Sequence, residues 1–293
     1  MDRDPVAAGL QARHHRSEDS APAVSRRTVM KSGAILATGA LSSSVATGCA
    51  TQPEAPEPDA VTPRTFVVAH GAWSSGWAWK KMHPLMRERG HRLLTPSYTG
   101  LGERAHLANA DIDLDTHITD VVNVLVYEDL RDVVLIGHSY GGMVATGVAD
   151  RARDRITRLI YLDAFVPDDG QSLFDLTGQA PQEARANAVD GWRVPPNPSP
   201  ADTPEEDLAW IQERRMHHPI GTLEQPLVLT RGPLTLPRDY ILCTKSEAFT
   251  RYAERARAAG WPVHELDASH NPFITIPEPL MDLLERIAQG ATT

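Results

Sequence analysis

The chain has 293 residues, 41% of them hydrophobic, and a formal net charge of −9. A chain of this size buries a sizeable core, often as one α/β domain, and its acidic balance argues against a nucleic-acid partner. Its two cysteines, Cys49 and Cys243, are too few for a disulfide framework and lack the spacing of a metal site.

Residues 1–48 are predicted to be a bacterial export signal. The heptad SRRTVMK places Arg26 and Arg27 side by side, ahead of a weakly apolar run rich in Gly, Ala and Ser. A charged stretch followed by a short apolar one is a targeting layout, and the arginine pair matches the twin-arginine type. A chance pair ahead of a disordered tail is the alternative. Small and polar residues interrupt the run, so we do not expect it to span a membrane.

The sequence ATGC, which ends at Cys49, resembles the cleavage site of bacterial lipoproteins. Cys49 is therefore a candidate lipid anchor for an exported protein. Ala46 stands where Leu or Val is usual, so a leftover small residue near a cleavage site is an equal alternative. Residues 49–63 are rich in Pro and acidic side chains and are predicted to form an extended linker. We expect the folded domain to cover residues 64–293.

Within that domain, short apolar segments alternate with amphipathic ones. Strands are predicted at TFVVAH, HRLLTPSYT, DVVLIGHS, ITRLIYLDAF, RDYILCTKS and WPVHELDA, and helices at WAWKKMHPLMRERG, DTHITDVVNVLVYE, MVATGVADRA, EAFTRYAERARAAG and PEPLMDLLERIAQ. This alternation predicts an α/β fold with a mostly parallel sheet and helices on both faces. The proline-rich interval at about 167–237, with its helix-like EEDLAWIQERRMHH, is predicted to be an inserted cap.

A lone serine lies between glycines in GHSYGG, directly after the apolar run DVVLI. Gly137 and Gly141 remove side chains that would collide across so tight a turn. The turn would hold the Ser139 hydroxyl out at the strand tip, with the amino end of the next helix beneath it. We predict that Ser139 is a nucleophile. An ordinary Gly- and Ser-containing turn is the alternative.

A serine nucleophile needs a base to take its proton. Of the 12 histidines, His270 is the candidate, because LDASHNPF places it after the last predicted strand and before the last helix. The chain order Ser, acid, His found with this type of turn puts the base there. His138 is expected to support the turn at Ser139. The pair His217–His218 is expected on the cap surface, since nothing nearby supplies further metal ligands.

An oxyanion hole requires backbone N–H groups aimed at the oxygen that becomes charged. HGAW, residues 70–73, ends the first predicted strand with a glycine-containing turn. The N–H groups of Ala72 and Tyr140 are the candidate donors. A glycine turn without chemistry is the alternative.

Five motifs in chain order resemble the α/β-hydrolase superfamily: HGAWSSGWAW, TGLGER, GHSYGG, YLDAFVPDDGQS and LDASHNPFITIPEPL. More narrowly, they resemble its cofactor-free group of hydroxynitrile lyases, plant methylesterases and bacterial carboxylesterases such as pyrethroid hydrolases. The resemblance covers about residues 65–288. It implies the α/β-hydrolase fold, no cofactor, Ser139 as nucleophile, His270 as base, and Ala72 and Tyr140 as oxyanion donors.

At the position of the triad acid, this sequence differs from much of the group. In those proteins an Asp follows the strand corresponding to DYILCTK. Ser246 stands there, with Glu247 next to it, and a serine cannot stabilise an imidazolium as a carboxylate does. Asp163 follows the preceding strand, where some other α/β-hydrolases carry their acid. Its apolar flanks favour a hydrogen-bonded role. Asp163 is the preferred candidate, with Glu247, or neither, left open.

The resemblance implies hydrolysis of a small carboxylic ester through a serine acyl-enzyme. The lyases of this group use a Thr in the first loop and a Lys directly after the catalytic His, where this chain has Gly71 and Asn271. Without that cation to hold cyanide, lyase chemistry loses its support. A non-catalytic ligand-binding relative is the second alternative, which turnover of a simple ester would refute.

Aromatic and methionine side chains near these motifs suggest an apolar pocket. Trp73, Trp192 and Met216 are the candidate substrate-binding residues, with Trp77 and Tyr140 as further walls. They favour a hydrophobic or aromatic ester or lactone. The alternative is that several of them pack in the core.

Overall fold

A computed structural model describes residues 62–290. The export signal, the Cys49 site and the linker up to residue 61 lie outside the described residues. The strands are β1 (Thr65–Ala69), β2 (Arg92–Leu94), β3 (Val133–His138), β4 (Ile156–Leu162), β5 (Arg193–Val194), β6 (His218–Pro219), β7 (Arg238–Cys243) and β8 (Val263–Leu266). Six of them form one sheet in the order β2-β1-β3-β4-β7-β8, and every neighbouring pair is parallel. The predicted parallel sheet is confirmed.

The helices lie mainly between these strands. They are α1 (Met82–Glu88), α2 (Leu114–Tyr127), α3 (Gly141–Arg151), α4 (Leu173–Thr177), α5 (Pro181–Asn187), α6 (Glu205–Gln212), α7 (Gly221–Glu224), α8 (Thr250–Ala258), α9 (Pro272–Thr275) and α10 (Pro277–Ala288). Short 3₁₀ turns cover Gly76–Trp79, Gly102–Leu107 and Arg153–Arg155. No helix within residues 62–290 is long and apolar enough to cross a bilayer.

Two of the predicted elements are shorter than the sequence pattern suggested. The segment WAWKKMHPLMRERG divides into a 3₁₀ turn and α1, which begins two residues before Pro84. Proline is tolerated there because the first turn of a helix leaves its N–H groups unpaired. The second strand ends at Leu94, ahead of Pro96, which has no N–H to give to a neighbouring strand.

Side chains of the sheet alternate between two buried clusters, one on each face. In β1, Phe66 and Val68 enter one cluster while Val67 and Ala69 enter the other. Helices α2 and α3 pack on the Val67 face, and α1 and α10 pack on the Phe66 face. A parallel sheet covered on both faces aligns the carboxyl ends of its strands at one edge, where α/β proteins bind their ligands.

The segment between β4 and β7 adds no strand to the main sheet. It contains α4 to α7 and an antiparallel two-stranded ribbon, β5–β6, in which Val194 pairs with His218. We call this the cap ribbon. An ion pair of 2.6 Å between Lys81 and Asp207 ties α6 to the residues that precede α1. These elements lie outside the main sheet, and the cap bounds of about 167–237 stay a prediction.

Candidate active site

Ser139 lies in the turn between β3 and α3, at the carboxyl end of β3. Its backbone is left-handed, with a φ of 56°, which is rare for a residue other than glycine. A Cβ on Gly137 would approach the Ala145 Cβ to 2.8 Å, and one on Gly141 would lie 2.0 Å from the Ala69 carbonyl oxygen. Glycine is therefore required at both positions, and the turn presents Ser139 at the edge of the sheet.

His270 and Asp163 meet in the loops after β8 and β4. His270 Nδ1 donates to Asp163 Oδ2 at 2.7 Å, and the Cys243 N–H donates to the other carboxylate oxygen at 3.2 Å. The Asp163 side chain is fully buried and has a left-handed φ of 43°. A buried carboxylate requires such partners, so these contacts explain how it is accommodated. The structure thus joins Asp163, the preferred candidate for the triad acid, to His270 by a hydrogen bond.

The opposite nitrogen of His270, Nε2, has no hydrogen-bond partner within residues 62–290. His270 and Ser139 line the same cavity, so this nitrogen is left for a hydroxyl or a water there. Glu247, the alternative acid, has an exposed side chain, and no hydrogen bond or ion pair within residues 62–290 joins it to His270. Ser246 lines the cavity instead.

His138 supports the loop that carries His270. Its Nε2 donates to the His270 carbonyl oxygen at 2.8 Å, and the two rings lie 4.6 Å apart between centroids. Burial and the neighbouring His270 hold the pKa of His138 well below its usual range, so the ring is neutral. A Cβ on Gly71 would come within 3.0 Å of His138 Nδ1, which brings the first loop against the Ser139 turn.

The backbone N–H groups of Ala72 and Tyr140 both belong to residues that line the cavity. Neither donates a hydrogen bond to any acceptor within the described residues. Tyr140 directly precedes the first residue of α3, where helix N–H groups point outward without partners. Two such donors in the cavity that Ser139 lines are what an oxyanion hole requires.

Beneath these donors lies a stack of buried rings formed by His70, Tyr98 and His117. The centroids of His70 and Tyr98 are 3.8 Å apart, and those of Tyr98 and His117 are 4.5 Å apart. His117 Nε2 donates to the Thr99 carbonyl oxygen, so its Nδ1 accepts from the Tyr140 hydroxyl at 3.0 Å. Burial lowers the pKa of His70 to about 4 and that of His117 well below its usual range. Within this stack, the neutral His117 ring anchors the Tyr140 hydroxyl.

The cap histidines differ from the prediction. His217 is exposed, but His218 is fully buried, so its predicted position on the cap surface is wrong. Its Nδ1 accepts the Trp73 N–H at 3.3 Å, a contact across 145 residues of sequence. Burial, with a smaller contribution from His70, lowers the pKa of His218 to about 3. No sequence signal marks this histidine as different from its neighbour.

The cavity above Ser139 has a volume of about 740 Å³ and mainly apolar walls. Its apolar lining includes Ala72, Trp73, Trp77, Ala78, Phe165, Leu173, Phe174, Val194, Ile211, Leu223, Phe249, Phe273 and Ile274. Phe249 stacks on the His270 ring at 4.9 Å with an interplanar angle of 5°. Charged side chains occur on the wall at Asp202, Arg215 and Lys245. The cavity is large enough for a ligand of drug size.

Two of the predicted pocket residues do not line this cavity. Trp192 and Met216 are partly buried and pack against the hydrophobic core, so their prediction as substrate contacts is corrected. Apolar cap side chains have to cover the core as well as the pocket, and sequence spacing does not separate the two. Trp73 lines the cavity, and its contact with substrate stays a prediction. Trp77 both lines the cavity and packs edge-on against Trp210.

Comparison with known proteins gives consistent matches over the described part of the chain. The profile of the alpha/beta hydrolase family matches residues 66–283. The carbendazim hydrolyzing esterase of Nocardioides sp. (strain SG-4G) is 38% identical over 235 residues, which are 75% of this chain and 97% of that protein. Methylesterase 2 of Arabidopsis thaliana is 26% identical over 268 residues, which are 77% of this chain and 96% of that protein.

Solved structures agree with these matches. An extracellular alpha/beta-hydrolase from a Paenibacillus species superposes with a TM-score of 0.66 at 25% sequence identity. The superposition covers 76% of this chain and 98% of that chain. The similarity therefore extends over nearly the whole of each relative.

Proposed function

The chain belongs to the alpha/beta hydrolase family, and we propose that it cleaves small apolar or aromatic carboxylic esters or lactones with Ser139, His270 and Asp163 as its triad. Its relatives are named esterases, and the protein is a carboxylesterase-type serine hydrolase. The observation that carries the triad is the 2.7 Å contact between His270 Nδ1 and Asp163 Oδ2, beside the cavity that Ser139 lines.

In the first half of the reaction, Ser139 Oγ attacks the ester carbonyl carbon while His270 Nε2 takes the hydroxyl proton. Asp163 keeps the proton on Nδ1 and stabilises the imidazolium that forms. The N–H groups of Ala72 and Tyr140 bind the oxygen that becomes negative. The tetrahedral intermediate then collapses, and the carbon–oxygen bond to the alcohol breaks. His270 Nε2 gives its proton to that alcohol, which leaves an acyl group on Ser139.

In the second half, water takes the place of the alcohol. His270 Nε2 removes a proton from the water as its oxygen attacks the acyl carbon, and the same N–H groups bind the oxyanion. The bond between the acyl carbon and Ser139 Oγ breaks, and His270 returns the proton to Oγ. The products are the carboxylic acid and the free enzyme, so the cycle needs no group from outside the chain except water.

The substrate class follows from the walls of the cavity. Trp73, Phe165 and Phe249 surround the reacting serine and histidine with aromatic surface, which favours an apolar or aromatic acyl group. One of the relatives is named a methylesterase, which supports including methyl esters among the substrates tested.

We also propose that residues 1–48 direct export across the bacterial cytoplasmic membrane and that Cys49 is lipidated. The support is the Arg26–Arg27 pair within SRRTVMK, the weakly apolar run that follows, and the sequence ATGC. The described residues begin after this segment, so the proposal depends on the sequence alone.

The proposed function is tested with Ser139→Ala against p-nitrophenyl esters of increasing chain length, a methyl ester of an aromatic acid and a lactone. We expect kcat to fall about 10⁴-fold or more, with native circular dichroism, because the nucleophile is gone. An organophosphonate reagent should add its mass to the wild-type chain and not to the variant. Activity of Ser139→Ala within tenfold of wild type would remove Ser139 from the mechanism.

The triad acid is tested with a matched pair of variants. Asp163→Asn should keep the fold and lower kcat by about 10⁴-fold, since the amide no longer stabilises the imidazolium. Glu247→Gln, whose side chain is exposed, should stay within about threefold of wild type. The reverse pattern in folded variants would assign the role to Glu247.

A further inference from the structure

The cap makes direct contact with the loop that carries an oxyanion donor. Trp73 follows Ala72 and has a left-handed backbone, with a φ of 58°. This conformation is strained for a residue other than glycine, so it persists only where surrounding contacts favour it. The contacts in question come from the cap ribbon.

Two hydrogen bonds connect Trp73 to one cross-strand residue pair of the cap ribbon. The Trp73 backbone N–H donates to His218 Nδ1 at 3.3 Å, and its indole N–H donates to the Val194 carbonyl oxygen at 3.0 Å. Val194 and His218 are cross-strand partners, so both acceptors occupy the same position along the ribbon. Because a backbone N–H can only donate, His218 Nδ1 is the unprotonated nitrogen of a neutral ring.

His218 also contacts the residue that carries the other oxyanion donor. Its ring packs edge-on against the Tyr140 ring, with centroids 4.9 Å apart at 74°. The Tyr140 hydroxyl donates to His117 Nδ1, and the His117 ring lies 5.7 Å from the His218 ring between centroids. A single buried cap side chain therefore touches both sides of the candidate oxyanion hole, through Trp73 on one side and Tyr140 on the other.

We propose that His218 is a positioning residue, which fixes the N–H groups of Ala72 and Tyr140 and so makes a docked cap a condition for activating the ester carbonyl. The proposal rests on the proposed function, in which those two N–H groups form the oxyanion hole. It assigns the cap a part in transition-state stabilisation in addition to enclosing the substrate. Loss of the His218 acceptor should therefore lower kcat more than it raises KM, because the donors act on the charge that develops during reaction.

Three substitutions separate the acceptor atom from the bulk of the ring. In His218→Asn the amide oxygen can occupy the position of Nδ1 and accept from Trp73. His218→Gln carries its amide group further out, near the position of Nε2, and His218→Leu has no acceptor. We expect kcat of the Asn variant within about threefold of wild type. The Gln and Leu variants should lose about 10- to 100-fold, somewhat less than removal of a whole oxyanion donor.

A boronic acid that becomes tetrahedral on Ser139 resembles the charged intermediate, so its affinity reports on the oxyanion donors. If His218 only stabilised the fold, this affinity would not change in a folded variant. The inhibition constant of the boronic acid should rise in proportion to the fall in kcat for the Gln and Leu variants. The KM of the ester should stay within about twofold, because ground-state binding depends on the cavity walls. Thermal denaturation of each variant checks that it is native at the assay temperature. A folded Gln or Leu variant with wild-type kcat and boronate affinity would overturn the proposal.

If neither the Gln nor the Leu variant folds, Trp73→Phe tests the contact between the cap ribbon and the first loop. It removes the indole bond to Val194 and leaves an aromatic ring on the cavity wall, so kcat and boronate affinity should fall together by a few-fold while the KM of the ester stays within about twofold. A rise in KM with unchanged kcat would reflect only the altered wall and would also overturn the proposal. Unchanged values would overturn the proposal. Ser139→Ala distinguishes this result from failure of the proposed function. An active Ser139→Ala would refute the serine mechanism itself, whereas an inactive one beside a fully active His218→Leu refutes only the role of His218.

Discussion

Acidification should destabilise the protein through histidines that the fold keeps neutral. His70 and His218 are fully buried beneath the catalytic loops, and burial lowers their pKa values to about 4 and about 3. In the unfolded chain both titrate near the ordinary value of about 6.5. Between these values the unfolded state binds more protons than the folded state, so the free energy of unfolding falls as the pH falls.

The size of the effect follows from the same values. A pH of 5.5 lies about one unit below the pKa of each histidine in the unfolded chain, whereas both rings are still neutral in the folded protein. Protonation of the unfolded chain therefore lowers the free energy of unfolding by about 1.4 kcal/mol per histidine. His70 and His218 together should therefore remove about 3 kcal/mol of stability between pH 7.5 and 5.5. The pKa values of His117 and His138 are lowered in the same direction, mainly by burial, and add to this loss.

Urea unfolding at pH 7.5 and 5.5, followed by circular dichroism, measures this loss. His218→Asn removes one titrating group, so its difference in unfolding free energy between the two pH values should be smaller than that of wild type by about 1.4 kcal/mol. His217→Asn is the matched control, because the His217 side chain is exposed. This variant should lose as much stability between the two pH values as wild type does. Equal losses in wild type and His218→Asn would refute the reasoning.

Three further predictions concern the Tyr140 anchor and the N-terminal segment. Tyr140→Phe leaves His117 Nδ1 buried without its donor, so we expect urea unfolding to show a loss of about 1–3 kcal/mol; unchanged stability would contradict the anchoring role. Arg26→Lys with Arg27→Lys should retain the protein in the cytoplasm, as fractionation would show, because a receptor reads the pair; unchanged export would make the heptad a coincidence. Cys49→Ala should release the exported protein from the membrane fraction, and persistent association would exclude Cys49 as the anchor.

The positions of Ser139 and His270 beside one cavity could be predicted from the sequence, because their signals are a local turn motif and the chain order. Gly-x-Ser-x-Gly between a strand and a helix specifies a turn that few other residues tolerate, and the close contacts of Gly137 and Gly141 give the physical reason. His270 could be located from chain order, since parallel strands bring their carboxyl ends to one edge. Local pattern and global topology thus point to the same edge of the sheet.

Contacts between segments that are distant in the chain could not be predicted from the sequence. Asp163 and Glu247 each follow a strand that ends near His270, and the directions of the two loops decide which carboxylate reaches the ring. His218 and its exposed neighbour His217 are identical in type and adjacent in the chain, yet one contacts Trp73 across 145 residues. Trp192 and Met216 are apolar cap residues whose core-facing positions depend on how the cap folds back.

The left-handed backbones of Trp73, Ser139 and Asp163 have a consequence for engineering this protein. Glycine would relax each of them, so a directed-evolution library scored only by survival of heating would tend to enrich glycine at these positions. Each enriched clone would lose a side chain of the proposed triad or of its contact with the cap. At these three positions, selection for heat resistance therefore opposes selection for turnover. A library intended to improve both properties has to keep the three codons fixed and vary other positions.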